Sequence, residues 1–180
     1  MSELRRFRAT DLFEFNNVNL DVLTETYNIS FYLSYLATWP DLFTTTLSPT
    51  TQQPIAYIMG KSEGTGTLWH THVTALTVSP SHRRLGLARI LMNMLERTGE
   101  ESYDAFFVDL FVRCGNEVAI GMYEGFDYSV FRRVVGYYSG GKGEEEDAFD
   151  MRRPLRRDKE RKSIRENGRD VRVQPQDVWF

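Results

Sequence analysis

The sequence predicts an α/β fold, with a mixed central β-sheet flanked by helices on both faces. One observation is the order of its candidate elements, β-α-α-β-β-β-α-β-α-β and then a short final strand. Another is its size, because 180 residues with 41% hydrophobic content suffice to bury one sizeable core. No internal repeat is visible in the sequence. A single domain is therefore expected.

The first elements follow from apolar spacing and helix-start signals. LRRFRAT predicts a strand, and Thr10 or Asp11 can cap a helix through the aromatic-rich stretch DLFEFNNVNLD. TETYNIS predicts a loop before the next helix. The chain therefore begins with one strand and one helix.

The middle of the chain alternates one helix with several strands. SFYLSYLATWPDLFTTT predicts an apolar-periodic helix that Pro40 ends, followed by a strand. SPTTQQP predicts a turn, and PIAYIMGKSEG has good β character. WHTHVTALTVSP predicts the following strand.

An amphipathic helix follows, because apolar side chains recur at helical spacing in SPSHRRLGLARILMNML. The apolar positions are Leu85, Ala88, Leu91, Met92 and Leu95. The remaining predicted elements are a strand in DAFFVDLFV, a helix in NEVAIGMYEGF, a strand in DYSVFRRVVGYYS, an acidic hinge in GGKGEEED and a short strand in AFDMRRPL.

Charge and composition exclude several classes of protein. Residues 1–150 carry 12 Lys and Arg against 20 Asp and Glu, so an acidic body makes DNA or RNA an improbable principal ligand. Residues 151–180 carry 10 against 5, which indicates either a solvated tail or a segment that docks on protein or RNA. Neither a secretory signal nor a membrane helix is visible, so a cytoplasmic protein is expected.

The segment RRLGLA has the features of an anion-binding loop. The N–H groups at a helix start point outward with the positive end of the helix dipole. Gly86 lets the backbone approach a ligand, and small Ala88 permits close approach in the first turn. Arg83 or Arg84 can add charged hydrogen bonds to phosphate. Taken alone, the same segment also fits an ordinary helix start with two solvent-facing arginines.

The pattern Arg83-x-x-Gly86-x-Ala88 after a strand resembles the acetyl-coenzyme A signature of the GNAT acetyltransferase superfamily. Asn116-x-x-Ala119-x-x-x-Tyr123 is similar to its second cofactor segment, in which the Asn contacts the pantetheine arm and the Tyr lies near the thioester sulfur. The resemblance implies a GNAT domain over residues 1–155, with residues 156–180 as a basic extension that is partly disordered or docked on a partner. The implied cofactor contacts are Leu76, Val78, Arg83, Arg84, Leu85, Gly86, Leu87, Ala88, Asn116 and Tyr123.

Most of residues 1–165 resemble the catalytic subunits of the N-terminal acetyltransferase complex B, NatB. The resemblance implies acetyl transfer from acetyl-coenzyme A to the α-amine of proteins that begin Met-Asp, Met-Glu, Met-Asn or Met-Gln. It also implies a large helical-repeat auxiliary subunit, nascent chains as substrates and association with the ribosome. The alternatives are a GNAT enzyme for other N-termini or lysines, and a non-catalytic acyl-coenzyme A-binding subunit. The turn Gly125-Phe126-Asp127-Tyr128 departs from the family pattern, but Asp127 tolerates left-handed backbone.

The chemistry needs a base for the amine, donors for the oxyanion and an acid for the departing thiolate, but no enzyme nucleophile. Tyr123 is the candidate acid, or alternatively a core tyrosine. The backbone N–H near Leu76 is a candidate oxyanion donor. His72 is the candidate base or substrate contact, or alternatively structural, while His70 is expected to lie further out on the same face. No metal is expected, because the histidines lack neighbouring ligands in the sequence.

Two loops carry groups suited to a peptide N-terminus. Glu25 could pair with the amine, and Tyr27 could line a pocket for methionine. Tyr137 and Tyr138 could bind the peptide backbone, although the three tyrosines could instead cover the core. The candidate donors for an acidic second residue are His72, Thr74 and Tyr138.

The segments DLFEFNNVNL and SFYLSYLATWPDLF contain more large apolar residues than one helix face needs. Either they form a crowded core, or they are partly buried against another protein.

Overall fold

The computed structural model describes residues 2–20, 24–139 and 145–178. Eight strands and three α-helices are formed by these residues, which confirms the α/β class. Hydrogen bonding orders the strands as β1-β2-β3-β4-β5-β7-β6-β8. The strands are β1 (Glu3–Arg6), β2 (Phe43–Leu47), β3 (Pro54–Glu63), β4 (His70–Val78), β5 (Phe107–Arg113), β6 (Ser129–Ser139), β7 (Glu145–Pro154) and β8 (Arg172–Val173), and the helices are α1 (Ile29–Thr38), α2 (Leu87–Glu101) and α3 (Glu117–Glu124).

The chain folds into two compact units. The first unit contains the residues up to Lys61 together with Val73–Thr98, and the second contains Ser62–His72 together with the residues from Gly99 onward. Strand β4 therefore begins in the second unit and continues in the first. Among the described residues, no helix has both the length and the apolar character needed to cross a bilayer.

An aromatic core fills the first unit. Strands β1, β2 and β3 pair antiparallel, and Phe7 after β1 stacks on Phe43 of β2 at 4.1 Å between ring centroids. The core residues of this cluster are Phe7, Phe15, Val18, Tyr32, Tyr35, Phe43, Tyr57 and Met59. Asn28 caps α1 by accepting a hydrogen bond from the Phe31 N–H at 2.9 Å, and Pro40 follows the end of this helix as predicted.

The predicted α-helix over DLFEFNNVNLD is wrong. The described part of this stretch forms two 3₁₀ helices, Ala9–Phe13 and Phe15–Val18. A three-residue repeat suits the buried side chains, because Phe15 and Val18 then point to the same side. Asp11 does not precede the helix but lies inside its first turn, where it accepts from the Arg8 N–H and binds the Arg5 guanidinium, each at 2.8 Å.

Helix α2 confirms the predicted amphipathic helix, since Leu87, Leu91, Met92 and Leu95 are buried. The exception is Leu85, which precedes the helix and is 63% exposed. It therefore belongs to the loop rather than to the apolar face.

The second unit contains the antiparallel pairs β5·β7 and β6·β7 and the parallel pair β6·β8, so the sheet is mixed. The predicted acidic hinge GGKGEEED lies partly outside the described residues, at positions 140–144. Its last three residues belong to β7, which runs for ten residues rather than forming a short strand. Pairing with β6 on one side and β5 on the other explains this length.

The basic C-terminal segment packs within the second unit. Gly168 lies so close to β6 that an added Cβ would be 1.8 Å from the Val130 carbonyl oxygen. The Phe131 ring contacts two guanidinium groups, those of Arg152 at 3.7 Å and Arg165 at 3.8 Å from its centroid. A separate role for residues 156–180 stays a prediction.

Candidate active site

The predicted anion-binding loop connects β4 to α2 in the first unit. The Ser79 N–H donates to the Ile55 carbonyl oxygen at 2.8 Å, which fixes the start of the loop against β3. Arg84 and Gly86 both have left-handed backbone, with φ of 63° and 77°. The Gly86 carbonyl accepts the Ile90 N–H at 3.1 Å, so this glycine begins the helical hydrogen bonding. When the residues just before a helix have left-handed backbone, their successive N–H groups point toward one concave surface.

The surroundings of this loop fit a pyrophosphate. A Cβ built on Gly86 would meet no protein atom within 4 Å, so the backbone borders open space. Arg84 and Leu85 are exposed, Leu87 is buried as the anchor of α2, and Ala88 is half-buried. The Arg83 Nε is 3.5 Å from the Val78 carbonyl oxygen, which holds this guanidinium beside the end of β4. The loop can therefore offer backbone donors, a helix dipole and arginine charge to a phosphate group.

Two substrate candidates of the first unit are in contact. The Tyr27 hydroxyl donates to the Thr74 carbonyl oxygen at 3.4 Å, and its ring stacks on Phe31 at 4.4 Å. The Thr74 hydroxyl is 2.9 Å from the Tyr35 hydroxyl, so Tyr35 competes for the donor role predicted for Thr74. Glu25 is exposed in the segment before α1. Leu76 and Val78, further along β4, are half-buried.

His72 is held by a buried carboxylate that the sequence analysis missed. Its Nδ1 is 2.9 Å from Oδ1 of Asp109 on β5, and all of these residues lie in the second unit. The Nε2 of His70 is 3.4 Å from the same oxygen, while its Nδ1 is 2.7 Å from the Leu68 carbonyl oxygen. His70 was expected to lie further out than His72, but the opposite is found. Its side chain is completely buried, whereas that of His72 is 12% exposed.

Asp109 stays ionised at neutral pH. Burial raises the pKa of its carboxyl group, but the charges of His72 and His70, the hydrogen bond to His72 and the charge of Arg152 outweigh burial and hold the pKa below its usual range. An aspartate in the apolar strand FFVDLFV could have signalled this pair, since a buried carboxylate needs a partner.

Tyr137 and Tyr138 lie with His72 in one aromatic cluster of the second unit. The Phe111 ring joins them, with its centroid 5.6 Å from that of His72 and 4.7 Å from that of Tyr137. The Tyr138 hydroxyl donates to the Phe111 carbonyl oxygen at 3.2 Å, so one of its hydrogen bonds is used within the protein. Tyr137 is 41% exposed and better placed to meet a ligand. Phe111 was also missed by the sequence analysis.

Helix α3 carries the other predicted cofactor residues. The Asn116 side-chain oxygen accepts the Ala119 N–H at 3.1 Å and so caps the helix, which leaves its amide NH₂ as the donor suited to a ligand. Tyr123 is buried, and burial raises the pKa of its hydroxyl, which therefore keeps its proton at neutral pH. Within the described residues, no hydrogen bond to the Tyr123 hydroxyl is formed. Asp127 has the left-handed backbone that the sequence allowed, with φ of 68°.

A potential metal-ligand set includes the same histidines. Glu63, His70 and His72 each bring one ligand atom within 4.8 Å of the others, so the reason given for expecting no metal is wrong. Hydrogen bonds to Asp109 and to Leu68 already use one nitrogen of each ring. The contact between His72 and Asp109 is therefore explained by a hydrogen bond.

The chain matches both a protein-family model and individual proteins of known function. Residues 11–128 match the model of the Acetyltransferase (GNAT) family. The chain is similar to the N-terminal acetyltransferase B complex catalytic subunit naa20 of Schizosaccharomyces pombe, at 60% identity over 181 residues that cover both chains completely.

Two solved structures are similar over most of the chain. The crystal structure of Chaetomium thermophilum Naa20 in complex with a bisubstrate analogue is 43% identical, with a TM-score of 0.91 over 99% of this chain and all of that one. A chain of the NatB acetyltransferase complex bound to CoA and MES is 46% identical, with a TM-score of 0.77 over 85% of this chain and 99% of that one.

Proposed function

This chain belongs to the GNAT acetyltransferase family and, within it, to the NatB catalytic subunits, and from this premise we propose its reaction. It transfers acetyl from acetyl-coenzyme A to the α-amine of proteins that begin Met-Asp, Met-Glu, Met-Asn or Met-Gln. The observation that carries the proposal is the 60% identity to the Schizosaccharomyces pombe subunit along the whole of both chains. The chain is therefore an acyltransferase with acetyl-coenzyme A as co-substrate.

The first unit provides the binding surface for the pyrophosphate. Its supporting features are the two left-handed residues, Arg84 and Gly86, and the open space beside Gly86. The N–H groups at the start of α2 and the guanidinium groups of Arg83 and Arg84 bind the phosphate oxygens. Leu76, Val78, Leu85, Leu87 and Ala88 border the cofactor along the same strand, loop and helix. The amide of Asn116 holds the pantetheine arm.

Acetyl transfer then occurs by direct attack in a ternary complex. The α-amine nitrogen attacks the thioester carbon, the C–S bond breaks, and the nitrogen loses a proton. His72 accepts this proton directly or through water, and Tyr123 donates a proton to the departing thiolate. The backbone N–H near Leu76 stabilises the oxyanion. Burial raises the pKa of Tyr123, so its hydroxyl enters the reaction protonated, and the proton is transferred only as negative charge develops on the sulfur.

Side chains on two loops recognise the substrate N-terminus. Glu25 attracts the amine and Tyr27 lines the pocket for the methionine side chain. Tyr137 and Tyr138 bind the peptide backbone. Thr74 donates to the second side chain, which favours Asp, Glu, Asn and Gln because each carries an acceptor oxygen, while His72 contacts the substrate as the base. The position of Tyr137 beside Phe111 and His72 supports this assignment.

An apolar surface of the first unit binds the auxiliary subunit. Its proposed members are the exposed apolar residues Phe13, Leu20, Ile29 and Leu33, which are 83%, 71%, 64% and 42% exposed. It borders a cavity of about 560 Å³ lined in part by Leu12, Leu20 and Ile29. Large exposed apolar groups in one region are typical of protein interfaces. The partner is a helical-repeat protein that brings the enzyme to nascent chains at the cytoplasmic ribosome.

The test of this chemistry uses the protein co-expressed with its auxiliary subunit. A Met-Asp peptide with an internal lysine is compared with the same peptide carrying a blocked N-terminus. Mass spectrometry then identifies the acetylated amine. We expect acetylation of the α-amine alone and no product from the blocked peptide.

Acetylation of the blocked peptide at its lysine would instead identify a lysine acetyltransferase of the same family. Binding of acetyl-coenzyme A without transfer to either peptide would identify a non-catalytic acyl-coenzyme A-binding subunit. Each of these results would overturn the proposed reaction.

A further inference from the structure

We propose that Asp109 is a positioning residue for His72, which it holds with a proton on Nδ1 so that Nε2 is the proton acceptor in acetyl transfer. This inference rests on the function proposed above, because it assigns a role to Asp109 only through His72. The geometry is a hydrogen bond of 2.9 Å between His72 Nδ1 and Asp109 Oδ1. An ionised carboxylate only accepts hydrogen bonds, so the ring nitrogen that faces it carries the proton.

Asp109 is suited to this role because it is itself fixed. Its side chain is completely buried on β5, and His70 approaches the same oxygen at 3.4 Å. The His70 ring stacks on Phe107 with 4.8 Å between centroids and 4° between planes. A carboxylate held in this way sets the direction of the His72 ring as well as its protonated nitrogen.

The neighbouring charges in the second unit favour an ionised Asp109. Burial raises the pKa of this carboxyl group, but the positive charges of His72, His70 and Arg152 outweigh this effect and lower the pKa. Glu63 is 3.9 Å from His70, so it pairs with that ring rather than taking the place of Asp109 at His72. The proton released in the reaction therefore goes to His72 Nε2, and Asp109 keeps its charge throughout.

The first experiment measures acetylation of a Met-Asp peptide by the Asp109→Asn variant in complex with its auxiliary subunit. The amide cannot fix the Nδ1 proton, because it offers both a donor and an acceptor. We expect kcat to fall roughly ten- to hundredfold, within the range that a positioned base contributes. We also expect the His72 ring of this variant to lose its fixed tautomer, because the amide no longer selects a proton on Nδ1.

The matched control is Asp158→Asn. Asp158 is also buried, and among the described residues its side chain accepts hydrogen bonds from Lys162 and Ser163, within a turn of the C-terminal segment. This variant loses a structural carboxylate and should keep the wild-type kcat and the wild-type His72 tautomer. An Asp109→Asn enzyme with wild-type kcat and with the His72 proton still fixed on Nδ1 would overturn the inference, as would an equal loss of kcat in both variants.

A second measurement needs no variant and so does not depend on folding of Asp109→Asn. The chain has three histidines, so ¹⁵N-labelled imidazole groups of the wild-type protein can be assigned by NMR. We expect His72 at pH 8 to carry its proton on Nδ1 and none on Nε2. The opposite tautomer would contradict the inference.

The two proposals fail in different ways. If the wild-type complex does not acetylate the Met-Asp peptide, the proposed function is wrong and the kinetic comparison does not apply. If the wild type is active while His72 has a proton on Nε2, the function stands and the role of Asp109 is wrong.

Discussion

His72 has the most demanding role among the proposed catalytic residues, because it must accept a proton and remain near the substrate. Its 12% exposure leaves one edge of the ring accessible, while Asp109 holds the other. Tyr123 has the opposite environment, since it is buried and keeps its proton. Direct acyl transfer to an amine requires one group that accepts the amine proton and another that donates a proton to the leaving thiolate.

The first residue-scale prediction concerns His72→Ala. We expect turnover on a Met-Asp peptide to fall at least about tenfold, because the variant loses the base that contacts the substrate amine. Steady-state rates of the purified complex measure this effect. An unchanged rate would remove His72 from both proposed roles.

The second concerns Tyr123→Phe, which removes one hydroxyl and keeps the ring that packs on Tyr128 at 6.0 Å. We expect kcat to fall about tenfold or more while the affinity for acetyl-coenzyme A stays nearly unchanged, because the proton donor is lost without a cavity. Calorimetric binding and kcat are compared. Loss of cofactor binding instead would identify Tyr123 as a scaffold residue.

At the residue scale, side chains with a reactive group in a recognisable motif could be predicted from the sequence. Side chains whose role depends on a contact with a residue far away in the sequence could not. His72 and Tyr123 were selected because of their residue type and position. Asp109 was missed because its importance depends on a contact with His72 across 37 positions of sequence. Phe111 was missed for the same reason, since an apolar strand residue gives no signal that it joins two candidate site residues.

At the scale of elements, the loop between β4 and α2 combines strand, turn and helix in the way that its sequence indicated. Gly86 has a φ of 77°, a backbone conformation that favours glycine. A Cβ at this position would meet no protein atom within 4 Å, so steric crowding does not require glycine here. The loop therefore depends on backbone conformation rather than on the packing of a small side chain.

This conformation predicts the effect of Gly86→Ala. Alanine in left-handed backbone costs about 1–3 kcal/mol of conformational free energy, unless the loop changes its backbone conformation. We expect the KM for acetyl-coenzyme A to rise about tenfold, because the N–H groups no longer converge on the pyrophosphate. Gly66→Ala is the matched control, since Gly66 also has positive φ and open space but lies in another loop. Equal effects of the two variants on this KM would contradict the assignment of the loop.

Helix α2 was predicted from the helical spacing of its apolar residues, which are buried. Strands β3 and β5 were predicted from apolar runs rich in strand-forming residues, and they are buried along most of their length. The two failures have local causes: the 3₁₀ helices bury residues at a three-residue spacing, and the supposed hinge contains strand residues that pair with β6. Neither cause is visible in average composition.

At the scale of the whole molecule, the resemblance to the NatB catalytic subunits and the α/β class are confirmed by the family match and the similar structures. Individual site roles and the partner surface stay predictions. In the segments of residues 13, 20, 29 and 33, burial of Phe15 and Tyr32 bears out the core interpretation for part of the apolar content, and the exposed apolar residues leave the partner interpretation as a prediction.

The partner surface predicts the behaviour of the double variant Phe13→Ser with Ile29→Ser. We expect loss of co-purification with the auxiliary subunit, because two large exposed apolar groups are removed from one interface. Val118→Ser is the control, since Val118 is 87% exposed on α3 in the second unit. Unchanged co-purification of the double variant would place the interface elsewhere.

Substrate specificity is the central claim, and its most direct measurement compares initial rates on peptides that begin Met-Asp, Met-Leu and Ser-Glu. The complex, acetyl-coenzyme A and the remaining peptide sequence are kept the same. The proposed site predicts efficient acetylation of Met-Asp only, because its donors need an acceptor oxygen at the second residue after a methionine. Preferred acetylation of Met-Leu or Ser-Glu would contradict the assignment of Thr74 and Tyr27 to substrate recognition.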